Sequence, residues 1–215
     1  MSDAKSKPRP ATPESTTLRS RFGQVLVIVV WAILAAVAVS LVAQGQILSI
    51  LKFGPLVVLA AFVVWLLMWS PSVTIGPSGV TVRNLLRTSD VTWPAIQRID
   101  TRFALTLYTS AGKIVAWSAP APSRFAALRS TRSDLSNLPE SSYFAGSIRP
   151  GDIPKSDSGL AALYVRRYYE QLRDAGHLDS GAVEGTGVRT VWLVRESCIL
   201  LALVTLALAG TAFVP

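Results

Sequence analysis

The chain has 215 residues, half of them hydrophobic, and a formal net charge of +8. Its single cysteine, Cys198, and single histidine, His177, exclude a disulfide framework and a metal site built from several Cys or His ligands. The apolar residues concentrate in three blocks, which leaves a central region long enough for one small domain.

Residues 1–20 are rich in Pro, Ser and Thr and have no apolar periodicity. Such a composition cannot bury a core, so it predicts a disordered basic tail. The tail acts as a topology signal or, alternatively, adds a weak attraction to anionic lipids of about 1 kcal/mol per basic residue near the surface.

Two long apolar blocks, 22–43 and 47–69, follow the tail, and a third covers 197–214. A helix needs about 20 mostly apolar residues to span a bilayer. The pattern predicts a transmembrane helical hairpin over 21–70. It also predicts a third transmembrane helix over 190–215, which reaches full length if residues 190–194 belong to it. The pattern favours a helical hairpin over a signal peptide, because the apolar region of a signal peptide is shorter and ends at a cleavage site.

The placement of Lys and Arg predicts the orientation of these helices. Five lie before the first block, one lies near the turn between the first two, and fifteen lie over 70–195. Because basic residues concentrate on the cytoplasmic side, we expect a multi-pass protein of the bacterial plasma membrane. The N-terminus and central domain would be cytoplasmic and the C-terminus outside. Arg195 and Glu196 would snorkel or pair with each other; the alternative is a buried ion pair in a transport path.

Residues 71–119 alternate between apolar and polar positions in short runs. Strands are predicted at 73–75, 80–83, 88–93, 96–100, 103–108 and 114–119, with turns at Gly79 and Gly112. Several short strands at this spacing favour a small antiparallel sheet or barrel. Trp93 is expected to fill the core at one end of that sheet.

The run PSVTIGPSGVTVRNLLRTSDVTWPAIQRIDTRFALTLYTSAGKIVAW resembles the bacterial pleckstrin-homology-like (PH) domain of membrane proteins. The resemblance rests on a Gly-Val-x-Val-Arg-Asn strand, a Val-x-Trp-x-x-Ile segment and a hairpin ending in Gly-x-x-Ile. The later YYEQLRDAGHLD is similar to the segment that follows the domain in that family. The resemblance implies a small antiparallel β PH-like domain with an amphipathic helix. Together with the apolar blocks, this gives the predicted fold class of three transmembrane helices plus a PH-like domain.

Residues 120–157 form a long loop or insertion, with a short helix expected over 123–131. An amphipathic helix is predicted over 158–176, capped by Asp157 or Ser158 and ended by Gly176. Its apolar stripe would hold Leu160, Tyr164, Tyr168, Leu172 and Ala175, with Ala161 and Val165 beside it. Arg166, Arg167, Glu170 and Arg173 would lie mostly on the opposite side. The helix either closes the PH-like domain or lies on the membrane surface. Residues 177–189 are predicted to be a linker.

No set of residues predicts an enzyme, a cofactor site or a metal site. The chain offers no nucleophile–base pair and no phosphate-binding loop. Asp90 and Asp100 are expected to pair with Arg87 or Arg102 rather than act as acid and base. The basic central region lacks the aromatic–basic motif of a nucleic-acid surface, so nucleic acid is not an expected partner.

Two functions remain open on the sequence. The first is a non-catalytic scaffold or protein-interaction module at the cytoplasmic membrane surface, with an unidentified protein partner. The second is an anionic-lipid headgroup sensor or an accessory component of a membrane transport or envelope system. Guanidinium groups suit phosphate, but the same side chains can also form an unselective solvated surface. The candidate headgroup or partner surface is Arg83, Arg87, Arg98, Arg102 and Lys113.

Overall fold

The computed structural model describes residues 15–122, 143–144, 147–148, 150–153, 156–176 and 187–213. The helices are α1 (Arg21–Ala43), α2 (Ile47–Met68), α3 (Asp157–Asp174) and α4 (Val194–Phe213). The strands are β1 (Thr16–Leu18), β2 (Ser72–Gly76), β3 (Gly79–Arg83), β4 (Arg87–Thr92), β5 (Arg98–Asp100), β6 (Ala104–Thr109), β7 (Gly112–Pro120), β8 (Tyr143–Phe144), β9 (Ser147–Ile148) and β10 (Val188–Trp192).

Helices α1, α2 and α4 are each long and apolar enough to cross a membrane. Helix α2 packs against both of the others. Glycines allow these contacts to be close. A Cβ atom at Gly23 of α1 would lie 2.6 Å from the Met68 carbonyl oxygen, and one at Gly210 of α4 would lie 2.9 Å from that of Lys52. Small residues at such points let helix backbones approach each other without a hydrophobic driving force.

The strands form two main antiparallel sheets. The first has the order β1-β2-β3-β4-β10 and the second the order β5-β6-β7, while β8 and β9 pair with each other. Alternating residues such as Val73, Val80, Val82 and Leu105 point into one core between the sheets. Gly79, with φ +154°, tightens the β2–β3 turn, where a Cβ atom would collide with the Val91 carbonyl oxygen.

All three apolar helices connect to strands of the five-stranded sheet at the same side, where the strand ends lie in a row. Strand β1 ends just before α1 begins, β2 begins just after α2 ends, and β10 leads through one residue into α4. In the antiparallel register Leu18 pairs with Val73, Ser72 with Arg83, and Trp192 with Arg87. We call this row of strand ends the helix-facing edge. Because three chain connections enter it, the sheet is tied directly to the helix bundle.

The predicted fold class and the six predicted strands over 71–119 are confirmed, and three boundary predictions are wrong. The predicted tail contains β1, which pairs with β2, so residues 16–18 are ordered by a sheet edge. The third helix starts at residue 194 rather than 190, because residues 188–192 pair with β4. Strand β10 also begins inside the predicted 177–189 linker. Residues 1–14, the predicted helix over 123–131 and residues 177–186 lie outside the described part of the chain.

Helix α3 packs on the sheets, as the closing-helix alternative expected, but with a different cap and face. Ser156 is the N-cap and accepts a hydrogen bond from the Gly159 amide at 3.0 Å. The buried side is formed by Ala161, Ala162 and Val165, whereas Leu160 and Tyr164 of the predicted stripe are exposed. The buried face is therefore rotated toward Ala161 and Val165, and Arg166, predicted on the opposite side, is buried and paired with Asp152.

Candidate functional site

A salt bridge joins the helix-facing edge to the third apolar helix. The Arg83 guanidinium at the end of β3 donates to the Glu196 carboxylate in the first turn of α4 at 3.0 Å. The Glu196 side chain is only 5 % exposed and also accepts a bond from Arg195, whose side chain is 80 % exposed. The predicted pairing of Arg195 with Glu196 is therefore confirmed. Arg83 is a further partner that the sequence analysis missed.

The five predicted surface residues are divided between the two sheets and a loop. Arg83 and Arg87 lie on the helix-facing edge, where they flank the turn between β3 and β4. Arg98 and Lys113 both pair with Tyr108 across the second sheet, and the Arg98 guanidinium stacks 4.2 Å from the Tyr108 ring. Arg102 lies in the β5–β6 loop beside the exposed Phe103 ring. The structure thus does not place the five on one sheet.

The acidic residues differ from expectation in their partners. Asp90 accepts a hydrogen bond from the Thr81 hydroxyl at 2.6 Å. Asp100 forms a salt bridge of 3.6 Å with Arg98 and accepts the backbone amide of Arg102. The Asp90 bond is to Thr81, its partner in the cross-strand register, and not to an arginine. The Asp100 contacts lie within two residues along the chain.

A groove of about 230 Å³ runs between strand β5 and helix α3. Gln97 and Arg98 line it from the strand side, and Tyr169, Glu170 and Arg173 from the helix side. Among the described residues β5 pairs with β6 alone, so its other edge faces this groove. An edge strand offers backbone N–H and C=O groups that can accept a further strand.

The floor of this region is fixed by a buried ion pair. Arg166 of α3 contacts the Asp152 carboxylate at 2.7 Å, with side chains 7 % and 2 % exposed. The same carboxylate oxygen accepts a bond from the Thr101 hydroxyl, also at 2.7 Å. Buried charges are tolerated when they are paired and hydrogen-bonded. The network holds α3 against the β5–β6 loop and gives the groove a rigid wall.

An aromatic pair holds α3 two residues further along the helix. The Trp93 ring stacks on Tyr168 with centroids 4.7 Å apart, and its indole N–H donates to the Gly76 carbonyl at 3.0 Å. Burial raises the pKa of Tyr168. Trp93 itself is 2 % exposed. The predicted core role of Trp93 is confirmed, and its partner is the closing helix.

Comparison with known families agrees with this architecture. Residues 70–140 match the bacterial PH domain family. The chain carries a bacterial PH domain. The match includes strands β2 to β7, so the outer strands β1 and β10 and the closing helix α3 lie beyond it. Searches of curated proteins and of solved structures gave no match.

The charged groups of the described part of the PH domain form ion pairs and line an open groove. Among the described residues no group of three His, Cys, Asp or Glu side chains is placed to hold a metal ion. The charged groups that the structure brings together, Arg83 with Glu196 and Arg166 with Asp152, are ion pairs that connect structural elements. The β5–α3 groove is the site where backbone and basic side chains face outward together.

Proposed function

We propose that this chain is a membrane-anchored, non-catalytic interaction module. In this proposal the three apolar helices span the plasma membrane and the PH domain lies at its cytoplasmic surface. The domain binds an extended, acidic segment of a protein partner in the β5–α3 groove. The single observation that carries the proposal is the groove itself, which combines a strand edge with guanidinium groups.

The geometry of the groove supports strand addition. Backbone hydrogen bonds from an added strand supply affinity, and side-chain pockets supply specificity. The Gln97 amide already donates to the Tyr108 carbonyl at 2.9 Å, so the chain is extended in pairing geometry one residue before β5 begins. Helix α3 forms the second wall and would contact the side chains of the added segment.

The charge of the groove supports an acidic partner. Two of its lining side chains, Arg98 and Arg173, are exposed guanidinium groups, Arg166 is paired with the buried Asp152, and Glu170 is the lining carboxylate. Arg98 and Arg173 have side chains 63 % and 60 % exposed, so their partners within the domain are solvent-screened and readily exchanged. Complementary charge at an interface mainly provides specificity and faster association.

The distribution of basic residues supports the cytoplasmic placement. Fifteen Lys and Arg residues lie over 70–195, against one near the α1–α2 turn. Exposed aromatic rings near the ends of the apolar helices, Trp192 on the helix-facing edge and Trp117 of β7 beside Phe22 and Met68, suit a headgroup region. We expect activity from a reporter enzyme that works only outside the cytoplasm when it is fused after Pro215. Cytoplasmic activity at that position would contradict the orientation.

Headgroup sensing by the five basic residues is the weaker candidate. The Arg83 guanidinium is held by Glu196, and the other four are divided between the two sheets and a loop. Membrane targeting by headgroup binding would also add little to a chain that already has three spanning helices. PH domains are generally non-catalytic, so the proposal assigns no reaction to the module.

The test reverses charge in the groove of the full-length chain. We expect the double variant R98E/R173E to lose protein partners that copurify with the wild-type chain after crosslinking in native membranes. The double variant R102E/K113E makes the same net charge change outside the groove and should retain them. Equal retention by both variants, or equal loss from both, would contradict a partner site in the groove.

A further inference from the structure

Two clefts meet beside the first turn of α1 and share the residue Ser118. The first, of about 520 Å³, lies between the helix ends and the second sheet. Its walls include Phe22, Met68, Trp117 and Pro120 and are apolar apart from Ser20 and Ser118. The second, of about 670 Å³, is lined by polar groups that include Arg19, Arg21 and Gln24. Both volumes are in the range of small-molecule sites.

The Ser118 hydroxyl, at the junction of the two clefts, lacks a hydrogen-bond partner in the described part of the chain. The residue is only 6 % exposed, and its buried side-chain oxygen has no hydrogen-bond partner among the described residues. A buried hydroxyl without a partner costs free energy, and native structures rarely leave one so. Because Ser118 lines both clefts, a ligand that occupies them would supply the missing partner.

The basic groups of the second cleft are also open to a ligand. Arg19 and Arg21 are exposed, and neither forms a salt bridge with another described residue. They flank the N-terminus of α1, where the partial positive charge of the helix adds to theirs. Asp157 lies on the same cleft and disfavours a ligand with several negative charges. A single phosphodiester fits this balance of charge.

We propose that the two clefts together bind one membrane phospholipid. Its phosphate lies between Arg19 and Arg21, and an acyl chain lies in the apolar cleft. An oxygen of its glycerol region accepts a hydrogen bond from the Ser118 hydroxyl. This site differs from both the β5–α3 groove and the five basic residues predicted from the sequence. It rests on the membrane embedding in the proposed function but not on the partner groove.

The test measures lipid binding to the full-length chain. The protein is purified in detergent, stripped of lipid and titrated with phosphatidylglycerol, and bound lipid is counted by native mass spectrometry. We expect one saturable lipid, bound about tenfold more weakly by R19Q/R21Q, which corresponds to about 1.4 kcal/mol. The variant R102Q/K113Q removes the same charge elsewhere and should bind as wild type. Equal weakening of both would show unselective attraction and overturn the site.

Two further arms separate the acyl chain from the phosphate. Val115→Phe, which fills the apolar cleft, should weaken phosphatidylglycerol binding, and Ala104→Phe serves as a second filling variant if the first does not fold. Free glycerol phosphate should not compete at concentrations that match the lipid. Binding of lipid that is indifferent to filling, or full competition by glycerol phosphate, would overturn the proposal. Either result would leave the R98E/R173E test of the groove unaffected.

Discussion

Replacing Trp93 with alanine is expected to destabilise the PH domain by about 3–5 kcal/mol. The change removes a 2 % exposed ring, its stacking on Tyr168 and the bond from its indole N–H to Gly76. Each kcal/mol shifts the midpoint of a domain this size by about 4–8 °C, so the domain transition should fall by well over 10 °C. Calorimetry of the full-length chain in detergent micelles measures it.

Two variants control the Trp93 experiment. Trp192→Ala removes an indole that is 63 % exposed at the end of β10, and its effect on the transition should be small. Tyr168→Phe keeps the ring that stacks on Trp93 and should also be near neutral. A Trp93→Ala protein that unfolds within a few degrees of wild type would show that α3 does not close the core.

Replacing Glu196 with glutamine is expected to loosen the PH domain from α4. The Arg83 side chain, 30 % exposed, would lose the carboxylate that it contacts at 3.0 Å, and losing the charged partner of a partly buried group costs about 1–3 kcal/mol. The lost charge also lies in the first turn of α4, where the helix dipole favours an anion. Hydrogen exchange of the β3–β4 hairpin and calorimetry of the full chain should both report the loss.

The second contact of Glu196 provides the matched control. Arg195 touches the same carboxylate at 3.3 Å, but its side chain is 80 % exposed, so Arg195→Gln should change little. Arg83→Gln should reproduce most of the effect of Glu196→Gln, and the double variant should cost less than the sum of the two. Equal effects of Arg195→Gln and Arg83→Gln would contradict a coupling role for the Arg83 bridge.

Local sequence patterns were sufficient to predict the helices and strands whose signals lie within a few neighbouring residues. Three apolar runs predicted three spanning-length helices, although the third begins at residue 194. The alternation of Val80 and Val82 with Thr81 and Arg83 predicted β3, and the glycine turns predicted its neighbours. These signals come from burial and turn geometry within a few residues, so one sequence contains them.

Strands β1 and β10 were missed for different reasons. The sequence of β1, TTL, is too short to give a local signal, whereas that of β10, VRTVW, favours a strand but adjoins the third apolar block and was divided between the linker and the helix. Thr17 contacts Thr74, and Thr190 contacts Ser89, across gaps of 57 and 101 residues. The buried position of Arg166 was missed because Asp152 reaches it through the fold.

The candidate sites followed the same division. The basic residues were visible in the sequence, but their grouping depended on which strands became neighbours. Arg83 was predicted for a headgroup surface and instead contacts Glu196, 113 residues away. The β5–α3 groove joins two segments separated by a long stretch of chain, so no sequence window contains it. Arg19 and Arg21 were interpreted only as part of the basic N-terminal charge, because the clefts beside them are completed by distant residues of β6, β7 and α3.

The most direct test of the proposed function places a photo-crosslinking residue at Gln97, which is exposed on the strand side of the β5–α3 groove. A matched probe at Ser78 lies in the exposed β2–β3 turn, at the end of the first sheet away from the helix-facing edge. In native membranes the Gln97 probe should form one dominant protein adduct that R98E/R173E abolishes, and the Ser78 probe should form none. No adduct at Gln97, or the same adduct from both positions, would contradict a partner site in the groove.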